Sequence, residues 1–262
     1  KPHEARIPTR GADNASGGLA SAEQERTETS EMNAEGQDPD RATARRDVEI
    51  VDGSVRLAGT LTVPSGSIGT VLFAHGSGSS RLSPRNLEVA RRLHDAGFGT
   101  LLFDLLTEAE AADRSNVFAV ELLARRLGAA TRWLRDEPEG SLPMGYFGAS
   151  TGAAAALWAA PEFADAVSAV VSRGGRPDLA GPRLGSVMAP TLLIVGGSDH
   201  VVLDLNREAF DALRSEKDLV VIGGATHLFE EPGALEQVAD HAARWFGRHL
   251  IGARGRGGGG PR

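Results

Sequence analysis

Three residues of this chain have the types and spacing to do chemistry together: a serine, an aspartate and a histidine, each just beyond a short apolar run. Ser150 is the centre of Gly148-Ala149-Ser150-Thr151-Gly152, a G-x-S-x-G pentapeptide. Small residues flanking a serine permit a tight strand-to-helix turn that lifts the hydroxyl clear of the backbone. In a chain with 33 glycines the pentapeptide alone is a weak signal, so its context has to decide. The apolar stretch 142–147 runs into it as a strand and the alanine-rich stretch 153–160 leaves it as a helix. A serine so placed needs a base to take its proton and a carboxylate to orient that base. Asp199 follows the apolar run 191–195 through Gly196-Gly197-Ser198, and His227 follows 219–222 through Gly223-Gly224-Ala225-Thr226. Both are expected on the same sheet edge as Ser150. The resulting order Ser, Asp, His and the three separate strand ends point to nucleophilic acyl chemistry.

The remaining candidates are ranked against these. His200 adjoins Asp199, and neighbouring residues rarely share one hydrogen-bond line, so it is a poor second base. His94, His241 and His249 fall on helices as surface or boundary residues, and His3 lies in a polar tail. His75-Gly76-Ser77-Gly78 follows the run 70–74, where the backbone can supply an oxyanion donor, so the hole is expected at the Ser77 and Thr151 amides. His75 itself reads as a loop-stiffening residue. Asp104 ends another strand and is the reserve orienting acid. Arg173 and Arg176, after the run ending at Val171, and Arg81 and Arg85, after the oxyanion loop, are candidate substrate-binding residues for an anionic group. Their plainer reading is pairing with Asp178 or other nearby acids.

The elements that must position these residues are legible from hydrophobic period. Strands are expected at 70–74, 99–103, 142–147, 166–171, 191–195 and 219–222, preceded by an antiparallel hairpin of 47–51 and 55–63 turning at Asp52-Gly53. Helices are expected at 84–96, 116–135, 150–159, 205–213 and 233–250, from apolar residues three and four apart. The run 108–113 reads as a solvated loop. Alternation of strands and helices gives an α/β fold with a mostly parallel central sheet and helices on both faces. Only 46 residues separate Gly152 from Asp199, which leaves no room for a lid domain. The expected organisation is a disordered tail or linker at 1–45, the α/β domain at 46–251 and a flexible Gly/Arg tail at 252–262.

Composition excludes several functions. The chain has 262 residues and a net charge of -7, so no concentrated positive field is offered to nucleic acid. It has no cysteine, which excludes disulfides, thiolate metal sites and a cysteine nucleophile. No apolar run approaches the roughly 20 residues of a membrane span. The N-terminal residues lack an apolar leader core, and a cytoplasmic location is the expectation. No P-loop or dinucleotide fingerprint is present, and no cofactor or metal is expected.

The segments HGSGSS, GASTG, VGGSD and GATH together resemble the dienelactone-hydrolase-like branch of the α/β-hydrolase superfamily, over about residues 47–250. The resemblance implies a metal-free serine hydrolase that cleaves a small ester, lactone or related acyl compound through an acyl-enzyme. Ser150 stands where dienelactone hydrolases proper use cysteine. Proteins of this kind also occur joined to a phosphoribosyltransferase-like domain, which fits a fused or preceding domain N-terminal to residue 46. The expected partner is a small-molecule acyl substrate. The alternatives are an acyltransferase or perhydrolase using the same triad, or a catalytically silent hydrolase-fold binding module.

Overall fold

A computed structural model describes residues Thr43–Ile251. The tails expected at 1–45, apart from its last three residues, and at 252–262 lie outside the described residues, as does His3. The domain is built on one eight-stranded sheet. Strands β1 (Thr43–Asp52) and β2 (Val55–Pro64) form an antiparallel hairpin whose register closes on Asp52 opposite Val55, so the turn residues are Gly53 and Ser54. Strands β3 (Thr70–Ala74), β4 (Gly99–Phe103), β5 (Met144–Ala149), β6 (Val167–Arg173), β7 (Thr191–Gly196) and β8 (Lys217–Ile222) run parallel, and the spatial order is β1-β2-β4-β3-β5-β6-β7-β8. β2 joins the parallel strands antiparallel to β4. After β3 the chain moves outward to β4 and then returns to β5 on the other side of β3. That reversal opens a crevice at the carboxyl ends of β3 and β5, the usual place for a ligand in an open α/β sheet.

Helices cover both faces because the inner strands are apolar on both. Helices α1 (Pro84–Asp95) and α6 (Ala234–Ile251) lie on one face, where Val89, Leu93, Val238 and Phe246 pack against Phe73, Phe147 and Val171. On the other face lie α3 (Val120–Arg135), α4 (Thr151–Ala159) and α5 (His200–Ala212), with Leu123, Leu127 and Leu134 of α3 packed among Leu72, Tyr146 and Val170. Within a strand the alternation is visible: Val170 belongs to the second core, and Ala169 and Val171 to the first. Helix α4 has no polar side to turn outward, because the sheet, α3 and the segment after β6 enclose it, and its alanines let all three approach closely. Among the described residues no helix is long and apolar enough to cross a membrane.

The sequence reading differs from the structure in three places. The run 108–113 is not a plain loop: Glu108–Ala111 form one helical turn, α2, closed by a capping box between Thr107 and Glu110. Asn116 and Val117 belong to a separate 3₁₀ turn ahead of α3, where one continuous helix is expected from the period. The SRGGRPD segment leads into a 3₁₀ stretch, Pro177–Ser186, kinked at Gly181, which hydrophobic period does not register because consecutive 3₁₀ turns repeat every three residues. Strand and helix ends shift by a few residues, the largest shift being the start of α5 at His200.

Buried Arg126 of α3 ties distant parts together. It is 1% exposed and donates to Asp52 at the hairpin turn (2.6 Å) and to Glu110 of α2 (2.5 Å). Burial disfavours the Glu110 carboxylate. The Thr107 N–H and hydroxyl and the Arg126 guanidinium outweigh it and leave the Glu110 pKa below its ordinary value.

Candidate active site

The local sequence at Ser150 dictates its geometry. Ser150 has φ 51° and ψ -119°, a conformation that costs a non-glycine residue about 1–3 kcal/mol and is kept only where its surroundings hold it. Three hydrogen bonds do so. The Ser150 N–H donates to the Arg173 carbonyl (3.2 Å), and the Ser150 carbonyl accepts from the N–H groups of Arg176 and Ala153 (both 3.1 Å). The flanking glycines are steric requirements. A Cβ at Gly148 would lie 2.4 Å from the Cα of Ala153, and one at Gly152 would lie 2.1 Å from the Ala74 carbonyl oxygen. The pentapeptide signature is thus a packing condition of the turn.

Beyond β7, a turn closed by the Asp199 N–H on the Gly196 carbonyl (3.0 Å) brings Asp199 to the sheet edge. Its Oδ2 lies 2.7 Å from Nδ1 of His227. A carboxylate can only accept, so Nδ1 donates, and in the neutral tautomer this leaves the lone pair on Nε2. Gly174, next to the Arg173 carbonyl that holds Ser150, packs against this histidine: a Cβ there would stand 3.5 Å from His227 Nδ1 and 3.2 Å from its carbonyl oxygen, and its φ is +50°. The segment after β6 therefore touches both the elbow and the histidine. Among the described residues the Ser150 hydroxyl makes no hydrogen bond.

A cavity of about 320 Å³ opens beside the elbow, and both Ser77 and Thr151 line it. Among the described residues neither of their amide N–H groups donates to a protein acceptor. The rest of the wall includes Leu105, Leu106, Ala111, Val117 and Leu123, so the cover over the site comes from the segment between β4 and α3. His75 braces this wall. Its Nε2 accepts the Leu105 N–H (3.0 Å) and its Nδ1 donates to the Gly76 carbonyl (3.0 Å). Burial outweighs the Gly76 carbonyl and Asp104 and lowers the His75 pKa, which suits the neutral ring this pairing needs.

The four arginines have different fates. The Arg81 backbone N–H donates to Asp104 Oδ1 (2.7 Å) and its guanidinium to Oδ2 (2.5 Å), which occupies both partners: Asp104 orients Arg81 and not His227. Arg176 forks onto Asp178 (2.9 and 2.7 Å). Arg85 donates to Glu230 (3.1 Å). Arg173 is 8% exposed and has no partner for Nε or Nη1. Burial, and then the nearby Arg85 charge, push its pKa down to about 10. His200 is exposed at the start of α5, and His94 is taken up by the Thr100 hydroxyl (2.7 Å).

One residue of the site escapes sequence reasoning. Asn206 is fully buried in α5 and its Nδ2 donates to the Gly175 carbonyl (2.9 Å), fixing the loop that holds Ser150. The available signal was an amide on the buried stripe Val202, Leu203, Asn206, Ala209.

No family model matches the chain. A solved dienelactone hydrolase from Anabaena variabilis ATCC 29413 is 53% identical, with a TM-score of 0.77 over 79% of this chain and 99% of that one. The chain belongs to the dienelactone hydrolase family of the α/β-hydrolases. The same fold, at 14% identity and a TM-score of 0.67, is found in Est1E from Butyrivibrio proteoclasticus, over 77% of this chain and 98% of that one. Two Mycobacterium tuberculosis proteins, of strains CDC 1551 and H37Rv, each named "Putative phosphoribosyl transferase", are 61% identical over 207 residues, 79% of this chain. The chain spans about half the length of these curated relatives (47%).

Proposed function

We propose that this domain is a serine hydrolase that cleaves a carboxylic ester or related acyl compound. The observation that carries the reading is the 2.7 Å Asp199–His227 pair on the same sheet edge as a serine held at positive φ. In this reading Ser150 Oγ attacks the acyl carbon while its proton passes to His227 Nε2. The oxygen of the tetrahedral intermediate takes the Ser77 and Thr151 N–H groups, whose lack of protein acceptors supports that role. Collapse breaks the bond to the leaving alcohol, which departs with the proton from Nε2. Water then attacks the acyl-serine, gives a proton to Nε2, and Ser150 Oγ leaves with that proton. Asp199 holds the imidazole in the required tautomer and stabilises its charged form.

The test is intact-mass labelling with a neutral fluorophosphonate, followed by turnover of p-nitrophenyl esters. One adduct on the wild type and none on Ser150→Ala is expected; a folded wild type that takes no label overturns the reading. Discharge of the same acyl-enzyme to another acceptor, as in an acyltransferase or perhydrolase, is read from the products when an alcohol or hydrogen peroxide competes with water. For the whole protein, the greater length of the mycobacterial relatives favours a second, phosphoribosyltransferase-type domain, where the chemistry in their name would reside.

A further inference from the structure

Of the three residues proposed to do the chemistry, the one that must move protons is the least secured. His227 stands in the irregular stretch between β8 and α6, and its side chain is 38% exposed. Among the described residues its ring makes one hydrogen bond, to Asp199, and its backbone N–H and carbonyl make none. A single bond to one ring nitrogen leaves the imidazole free to swing about it. What fixes the aim of Nε2 must therefore lie in the neighbours of His227 along the chain.

Two of those neighbours are held in particular ways. One residue before His227, the Thr226 N–H donates to the Glu231 carboxylate (3.0 Å). Two residues after it stands Phe229, with φ 56°. Among the described residues eight glycines have positive φ, and the residues with side chains that share it are Ser150 and Phe229. Glycine meets such a turn at no steric cost, as Gly224 and Gly233 do in the same stretch. A bulky residue in that conformation is strained, and it persists because its surroundings hold its side chain. The Phe229 ring is 1% exposed and lies against Gly174: a Cβ there would stand 3.3 Å from Cε2 of the ring and 3.2 Å from the His227 carbonyl oxygen. Gly174 donates its N–H to the Ile194 carbonyl of β7 (2.8 Å) and follows Arg173, whose carbonyl holds the Ser150 N–H. The ring thus wedges the His227 stretch onto the residue next to the elbow's own anchor.

We propose that Phe229 is a positioning residue for the base: its ring, seated on Gly174, sets where His227 stands relative to Ser150, and the strained backbone at 229 is what turns that ring inward. The inference rests on the hydrolase reading, and the experiment keeps the two apart. His227 takes and returns a proton both when the acyl-serine forms and when water cleaves it. A displaced imidazole therefore slows both steps, which lowers kcat and leaves KM nearly unchanged.

Wild type, Phe229→Gly, Phe229→Leu and Phe98→Leu are compared where urea titration shows each to be folded. Phe98 belongs to the same buried core but stands just before β4, at the end of the strands opposite the site. On p-nitrophenyl acetate, Phe229→Gly is expected to lower kcat by about 10-fold or more at nearly constant KM, although glycine relieves the backbone there. Phe229→Leu, with apolar bulk but no flat ring, is expected to fall between it and the wild type, and Phe98→Leu to keep the wild-type kcat. Independently of turnover, NMR shifts of the His227 ring nitrogens, identified by their loss in His227→Gln, report which nitrogen carries the proton. Nδ1 is expected in the wild type, and a mixture of Nδ1 and Nε2 in Phe229→Gly, where the ring is no longer held on Asp199. An unchanged kcat or an unchanged tautomer in folded Phe229→Gly overturns the positioning role, as does an equal loss of kcat in Phe98→Leu. If Phe229→Gly does not fold, Phe229→Leu decides by the same two readings. A wild type that takes no fluorophosphonate label overturns the hydrolase reading, and the tautomer comparison then decides the role of Phe229 by itself.

Discussion

At the scale of single residues, the proposed chemistry depends on a few atoms held by many others. Ser150→Ala is expected to lower kcat by at least about 10⁴-fold, and Asp199→Asn by about 10⁴-fold, because the amide favours the wrong imidazole tautomer. A p-nitrophenyl ester assay at fixed pH checks both, and Asp199→Asn retaining more than a tenth of wild-type activity would remove Asp199 from the mechanism. Asn206 acts one step further back, as a positioning residue. Its bond to Gly175 steadies the loop whose Arg173 carbonyl and Arg176 N–H grip the Ser150 backbone. Asn206→Leu is expected to lower kcat about 10-fold with KM little changed, since sub-ångström misplacement of a nucleophile weakens the reacting geometry more than binding. A general loss of structure would instead move the urea midpoint along with both constants.

Elements matter through the ties between them. Arg126 joins the hairpin turn, α2 and α3, and α2 forms part of the cavity wall. Arg126→Ala leaves Glu110 without its cation and Asp52 with only the exposed Arg125, and is expected to destabilise the domain by about 3–5 kcal/mol. Arg126→Met, which restores packing but not charge, is expected to cost less. Urea unfolding of the two variants measures the difference; equal midpoints would mean that the ion pairs contribute little beyond the volume they fill. The sequence treats 108–113 as solvated because its composition is polar and alternates with alanine. The helical turn there depends on a guanidinium 16 residues away as well as on its own capping box.

For the whole molecule, protonation of one buried and two partly buried histidines sets an acid limit. Burial is the first cause that lowers the pKa values of His75, His94 and His241. Above about pH 6.5 these rings are neutral in folded and unfolded chain alike, so they contribute no pH dependence. As pH falls through that value the unfolded chain binds protons that the folded chain resists, and stability declines until the lowered folded values are reached. Urea midpoints at pH 8 and pH 5.5 are expected to differ in that sense, and His75→Asn is expected to narrow the difference. An unchanged or higher midpoint at pH 5.5 would contradict it.

The sequence by itself determined the features that depend on near neighbours along the chain. Gly148 announces the turn because a Cβ there would strike Ala153 and Gly152 just after it, whereas the need for Gly152 comes from Ala74 and His75 at the end of β3 and is legible only through the pentapeptide pattern. Ser150, Asp199 and His227 could be placed on one edge because each follows a parallel strand, and parallel strands all end on the same side of a sheet. The tertiary structure decided which charges meet. Asp104 reads as a reserve triad acid, yet it lies with Arg81, 23 residues back in sequence. Arg173, Arg176, Arg81 and Arg85 are alike as letters, yet three are paired and one is buried alone. An ion pair is a matter of a few ångströms, and across this sheet those ångströms follow from the order β4-β3-β5-β6 and its register, which bring together residues that no local pattern connects.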